Sequence, residues 1–142
     1  MLTADQLRSL HAAGVEIGSH TATHTDLSAL DYEGALAELA TSKRALEAVL
    51  DARVEVAAYP WGRATERTMA ACGEAGYRAA CRISGQGSWD QPLNLPRQDM
   101  DNGATLLGLR LKRDDRYEPL MRSHIGRLAP RLIRAARRVA GR

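Results

Sequence analysis

Val15-Glu16-Ile17-Gly18-Ser19-His20-Thr21-Ala22-Thr23-His24 decides how this chain is read: a short apolar run opens into a loop carrying two histidines four residues apart. A neutral imidazole is the commonest protein ligand for zinc and similar ions. Catalytic zinc sites usually take three protein ligands and keep a fourth position for water. His20 and His24 would supply two of those three. The plain alternative is a loop whose histidines make ordinary hydrogen bonds.

Outward from this stretch, helical and extended signals alternate. Thr3 and Gln6 form a capping box ahead of Leu7 and Leu10, and Gly14 supplies a stop, which predicts a helix over residues 3–13. Residues 15–18 read as a short buried strand. Asp31 caps a long helix with Leu36, Leu39, Lys43, Leu46 and Leu50 at helical spacing, ending near Asp51, with Lys43 reaching outward from the edge of the stripe. Residues 54–59 follow as a strand, 65–75 as a helix closed by Gly76, and 77–83 as the next strand. Residues 85–92 form a turn-rich loop, and 93–95 a brief fourth strand. Alternation of this kind implies an α/β chain of parallel strands joined by crossover helices. Reactive groups in such folds sit on loops at the carboxyl ends of the strands. His20 and His24 follow the first strand and Tyr59-Pro60-Trp61-Gly62 the second, so one rim should display both motifs.

The order Gly18-Ser19-His20-Thr21-x-x-His24, then Tyr59-Pro60-Trp61-Gly62 after a long helix, then Ala75-Gly76-Tyr77, resembles the polysaccharide deacetylases. These carry the nodulation-type deacetylase homology domain and are also called carbohydrate esterase family four. The likeness runs from about Leu2 to Arg97. It implies a partial (β/α) barrel and a hydrolase that removes acetyl groups from N-acetylated sugars, breaking a non-peptide amide bond. It further implies a divalent metal, usually zinc, held by His20 and His24 together with an aspartate. The metal polarises the acetyl carbonyl and acidifies a bound water. Tyr59, Pro60, Trp61 and Gly62 then correspond to a groove-lining motif in which the Trp61 main-chain N–H binds the oxyanion, and the Trp61 ring offers a flat face to a sugar. Arg97 stands where relatives often carry an arginine near the active-site carboxylates; a surface arginine is the other reading. Asp26 could lend an oxygen to the ion, or simply close a turn.

The chain also departs from that family. It contains no strand ending in a Thr-Phe-Asp-Asp-Gly type motif, which in the family provides the general base and the third ligand. Ala58 replaces the usual arginine of the groove motif, and no Leu-x-His motif appears near the end, where His124 lies in a basic stretch instead. The expectation is a fragment lacking its first βα units, with three to four strands whose open edges invite self-association. A catalytically inactive remnant serving as a binding module is the alternative to an active enzyme.

Composition is compatible with one compact domain. The 142 residues are 44% apolar and 26% charged, with no Phe, which predicts a core of Leu, Val, Ile and Ala. No apolar run is long enough to span a bilayer and the first residues lack a secretory pattern, so a cytoplasmic product is expected. Cys72 and Cys81 match no metal spacing and read as buried free thiols. The net charge of +3 is unevenly spread: residues 103–142 hold eleven Lys and Arg against three Asp and Glu. This divides the chain into a deacetylase-like region, 1–100, and a basic helical extension, 101–142. Met121, Ile125, Leu128, Leu132, Ala136 and Val139 share one helical face opposite Arg127, Arg131, Arg134 and Arg138. Such a helix can dock on its own domain or lie on an anionic membrane surface; nucleic acid is not expected, since no recognised binding motif accompanies the arginines.

Overall fold

The computed structural model describes residues 2–83, 87–97 and 105–113. The chain divides into two units, Met1–Arg97 and Gln98–Arg142. In the first unit, helix α1 (Ala4–Ala12) begins at Thr3, whose hydroxyl and the Gln6 side chain complete the reciprocal capping box. Helix α2 (Tyr32–Leu50) is capped by the Asp31 carboxylate accepting from the Gly34 N–H, and stops at Asp51, which turns left-handed. Strand β1 (Val56–Ala58), helix α3 (Glu66–Glu74) and strand β2 (Ala79–Cys81) follow.

The sheet is parallel throughout. Val56, Ala57 and Ala58 pair with Ala79, Ala80 and Cys81. On the other side of β1, Ser19 makes a single parallel bridge to Ala57, and beyond β2 Leu95 makes one to Cys81. Four positions therefore lie side by side in chain order, but only two are strands. Residues 15–18 do not form the expected strand: after Gly14 the Val15 N–H turns back to the Leu10 carbonyl, and the segment first pairs with β1 at Ser19. Residues 93–95 are likewise not a strand, because Pro92–Asn94 close into a 3-10 turn and Leu95 alone reaches β2. A partial parallel sheet is present among the described residues, and a barrel is not.

The core lies between the sheet and helices α2 and α3. Leu27, Ala35, Leu39, Leu50, Val54, Ala57, Ala71, Cys72 and Ala80 are buried there together with Tyr59 and Tyr77. Two tyrosines thus occupy places where aliphatic side chains were expected, and Tyr59 is the largest fully buried side chain among the described residues. Each hydroxyl finds a carbonyl, Tyr59 at Leu93 (2.8 Å) and Tyr77 at Leu39 (3.0 Å), which removes the cost of burying it. Burial pushes both phenols above the ordinary tyrosine range. Lys43 does not reach outward. Its Nζ donates to the Val54 carbonyl, pairs with Glu47 at 3.1 Å and sits 4.9 Å above the Tyr77 ring, tying α2 to the start of β1. Cys72 is buried and Cys81 half-buried, both as free thiols.

In the second unit, helix α4 (Leu106–Arg113) exposes Leu106, Leu107 and Leu109. The amphipathic pattern expected from Met121 onward lies outside the described residues. No described helix is long and apolar enough to cross a membrane.

Candidate functional site

The carboxyl-terminal rim of the sheet gathers the residues that the sequence singles out. Ser19 is fully enclosed, its Oγ 2.7 Å from the Ser42 Oγ of α2. The next residue, His20, swings over the end of β1, where its Nδ1 lies 2.6 Å from the Ala58 carbonyl oxygen. A carbonyl can only accept, so Nδ1 carries a proton, and the tautomer this selects has its lone pair on Nε2. That arrangement fixes the tautomer and orientation of metal-ligating histidines generally. The His20 and His24 rings lie edge to face, with centroids 4.9 Å apart. The structure therefore brings the two imidazoles together.

The loop between them is strained and heavily braced. Thr21 (φ 69°) and His24 (φ 60°) both adopt left-handed backbone, at roughly 1–2 kcal/mol each for a residue with a Cβ. Thr21 Oγ1 accepts the His24 N–H at 3.1 Å. Glu38, one turn before Ser42 on α2, accepts three hydrogen bonds from the loop: the Ala22 N–H (3.1 Å), the Thr23 N–H (3.0 Å) and the Thr23 hydroxyl (3.0 Å). Sequence reasoning passed over Glu38, which reads as one more polar residue beside the Leu36 and Leu39 stripe. The available signal was its place on α2, one turn before Ser42 on the helix that packs behind the loop.

The second loop leaves β1 through Tyr59. Its side chain points into the core and not into a groove, Pro60 and Gly62 are buried as well, and only Trp61 of the four presents a side chain to solvent, at 52% exposure. Tyr59, Pro60 and Gly62 thus shape the main chain and do not offer side-chain contacts. Trp61 takes left-handed backbone (φ 52°, ψ 12°) at the apex of the turn, and its N–H has no acceptor among the described residues. Gly62 (φ +66°) is required on two counts, since a Cβ there would stand 2.3 Å from the Ile83 nitrogen. The Trp61 ring lies edge to face on His24, with centroids 4.6 Å apart.

Asp26 behaves as a structural residue. Its Oδ1 accepts from the Ser28 N–H (3.0 Å) and hydroxyl (2.6 Å), while Oδ2 accepts from Arg63 at 2.8 Å, pinning the histidine loop to the Trp61 loop. The Ser28 hydroxyl first, then the Arg63 guanidinium, hold its carboxyl below the usual carboxylate range. Arg97 is exposed, two residues past the Leu95 bridge. Parallel strands are spaced at about 4.8 Å, which puts Leu95 about 14 Å across the sheet from Ser19. Arg97 is therefore on the same rim but not beside the imidazoles. Among the described residues no group of three or more His, Cys, Asp and Glu side chains is arranged to hold a metal ion.

Comparison with known proteins adds to this geometry. The family model for polysaccharide deacetylase matches residues 3–80. A polysaccharide deacetylase homologue of Bacillus subtilis (strain 168), YxkH, is 31% identical over 77 residues, which are 54% of this chain and 28% of that protein. Among solved structures, a polysaccharide deacetylase from Bacillus cereus aligns over 77% of this chain and 35% of its own, with a TM-score of 0.66 and 27% identity. The Streptococcus pyogenes deacetylase PplD in complex with acetate aligns over 77% of this chain and 49% of its own, with a TM-score of 0.70 and 24% identity. A de-N-acetylase from Aggregatibacter actinomycetemcomitans reaches a TM-score of 0.68 at 14% identity over 78% of this chain and 52% of its own. The last two likenesses are of fold alone. The chain thus spans less than a third of the curated relative and about half or less of these solved structures.

Proposed function

Since this chain belongs to the polysaccharide deacetylase family, we propose that it contributes the paired histidines and the groove loop of a metal-dependent deacetylase acting on N-acetylated sugars. The observation that carries this reading is the His20 and His24 pair, 4.9 Å apart at one strand end, with the His20 Nδ1 proton committed to Ala58. The donor set suits a divalent cation such as zinc in part. Two neutral imidazoles are typical zinc donors, and a three-ligand centre would draw its third ligand from outside the described residues. A cation held by His20 and His24 would supply Lewis-acid polarisation of the acetyl carbonyl and would lower the pKa of a water.

The chain's own residues have separable parts in the reaction. Hydrolysis adds hydroxide to the acetyl carbon and breaks the C–N bond, with a proton passing to the departing amine. The carbonyl oxygen gains charge as the tetrahedral centre forms, and a fixed N–H without another acceptor is suited to that oxygen. Trp61 offers such an N–H, held by the Gly62 turn. Its exposed indole next to His24 provides an apolar face for a pyranose ring. Arg97 remains a candidate for orienting a carboxylate on the same rim.

The experiment is acetate release from N-acetylglucosamine oligomers by the protein carrying this chain, with and without zinc. The expected result is zinc-dependent release that His20→Ala abolishes. A second reading, a binding module without turnover, is favoured by the want of a third ligand among the described residues. It predicts zinc and oligosaccharide binding with no acetate released.

A further inference from the structure

We propose that Glu38 is the positioning residue that sets the distance between the two imidazoles, and so the affinity of the site for a divalent cation. The inference rests on the metal-site reading above and goes beyond it. His20 and His24 are carried by a loop with left-handed backbone at Thr21 and His24, a conformation that persists only when its surroundings over-determine it. Most of the bracing at the middle of that loop converges on one side chain. Glu38 Oε2 accepts the consecutive N–H groups of Ala22 and Thr23, and Oε1 accepts the Thr23 hydroxyl. Both carboxylate oxygens are therefore committed to the loop, which makes Glu38 a clamp and not a ligand.

The clamp joins two rigid points. Glu38 stands on α2 with buried Ala35 before it and buried Leu39 and Ser42 after it, and Ser42 holds Ser19 immediately before His20. Leu27, just past His24, is itself buried in the core. The loop is thus fixed at both ends by packing and at its centre by Glu38. Without the carboxylate, Ala22 and Thr23 lose their acceptors, the left-handed pair can relax, and His24 is free to leave His20.

The clamp predicts unequal behaviour for two substitutions. In Glu38→Gln, the amide oxygen can take the place of Oε2 and accept both N–H groups, and the amide nitrogen can donate to the Thr23 hydroxyl. In Glu38→Ala, all three bonds are lost. Loss of a group that orients metal ligands typically weakens binding about 10–100-fold. The experiment is isothermal titration of the protein with zinc alone, beside thermal melts and amide hydrogen exchange in the metal-free state. Glu38→Ala is expected to weaken zinc binding at least about 10-fold and to speed exchange at Ala22 and Thr23. Glu38→Gln should weaken zinc binding by less than about 10-fold. Equal zinc affinity for Glu38→Ala and the parent overturns the proposal, as does equal weakening by both substitutions with exchange at Ala22 and Thr23 unchanged. If Glu38→Ala melts too early to titrate, Glu38→Asp, whose shorter side chain withdraws the carboxylate from Ala22 and Thr23, takes its place with the same expected weakening and faster exchange, and parent-like values for it overturn the proposal. Failure of the parent itself to bind zinc would refute the metal-site reading, whereas the exchange measurement still tests the clamp.

Discussion

Replacing Gly62 with alanine tests whether the Trp61 turn is built as described. The added Cβ would stand 2.3 Å from the nitrogen, 2.5 Å from the Cβ and 2.9 Å from the Cα of Ile83. Two of these atoms are main chain just past β2, which cannot swing aside. The left-handed φ of +66° costs an L-residue roughly 1–2 kcal/mol, and forcing a methyl into occupied space adds about 1–3 kcal/mol. Restriction of the unfolded chain returns about 0.4–1 kcal/mol, leaving a net loss of about 1–4.6 kcal/mol, centred on about 3 kcal/mol. Gly14 is the internal control, because its φ is +86° but a Cβ there meets nothing within 4 Å. Gly14→Ala should therefore cost only about 1 kcal/mol. Urea unfolding at constant m-value reads both. Equal losses for the two variants, or a loss below about 1 kcal/mol at Gly62, would refute the close approach of the turn to Ile83.

Other consequences can be checked separately. Tyr59→Phe removes the hydroxyl that donates to Leu93, and should cost about 1–2 kcal/mol; an unchanged midpoint in urea would argue against that bond. Asp26, whose carboxyl is held below its ordinary range, stabilises the fold above the unfolded carboxylate pKa and loses that contribution as pH falls through its depressed folded value. The stability gap between the parent and Asp26→Asn should be open near neutral pH and narrow as pH falls below the ordinary carboxylate range; a gap independent of pH contradicts the assignment. Removing residues 119–142 should abolish salt-sensitive sedimentation with anionic vesicles if the basic segment contacts a membrane surface. Sedimentation that is unaltered by the truncation excludes that role for it.

What was legible in the sequence depends on how local the signal is. The Thr3 box, the Asp31 cap and the Gly76 stop each act within one helical turn, and helices α1, α2 and α3 begin and end within a residue or two of them. Strands were less legible because an apolar run does not state its partner. Residues 15–18 and 93–95 have the composition of strands, yet the sheet is met by a single bridge in each case, at Ser19 just past the first span and at Leu95 at the end of the second. The rim position of both motifs followed from the parallel order. The direction of side chains within Tyr59-Pro60-Trp61-Gly62 did not, since the left-handed turn at Trp61 sends the indole out while Tyr59 points in. Glu38 and Lys43 were missed or misplaced for one reason. Both are charged residues on a helix, whose composition suggests solvent, and both satisfy main-chain groups of a neighbouring segment, Glu38 in the loop before α2 and Lys43 in the stretch after it.

The most direct measurement is X-ray absorption at the zinc edge of the zinc-loaded protein. The account predicts two imidazole scatterers at about 2.0–2.1 Å, reduced to one by either His20→Ala or His24→Ala. A spectrum without imidazole scattering, or one that neither substitution alters, would contradict the claim that these two rings share an ion.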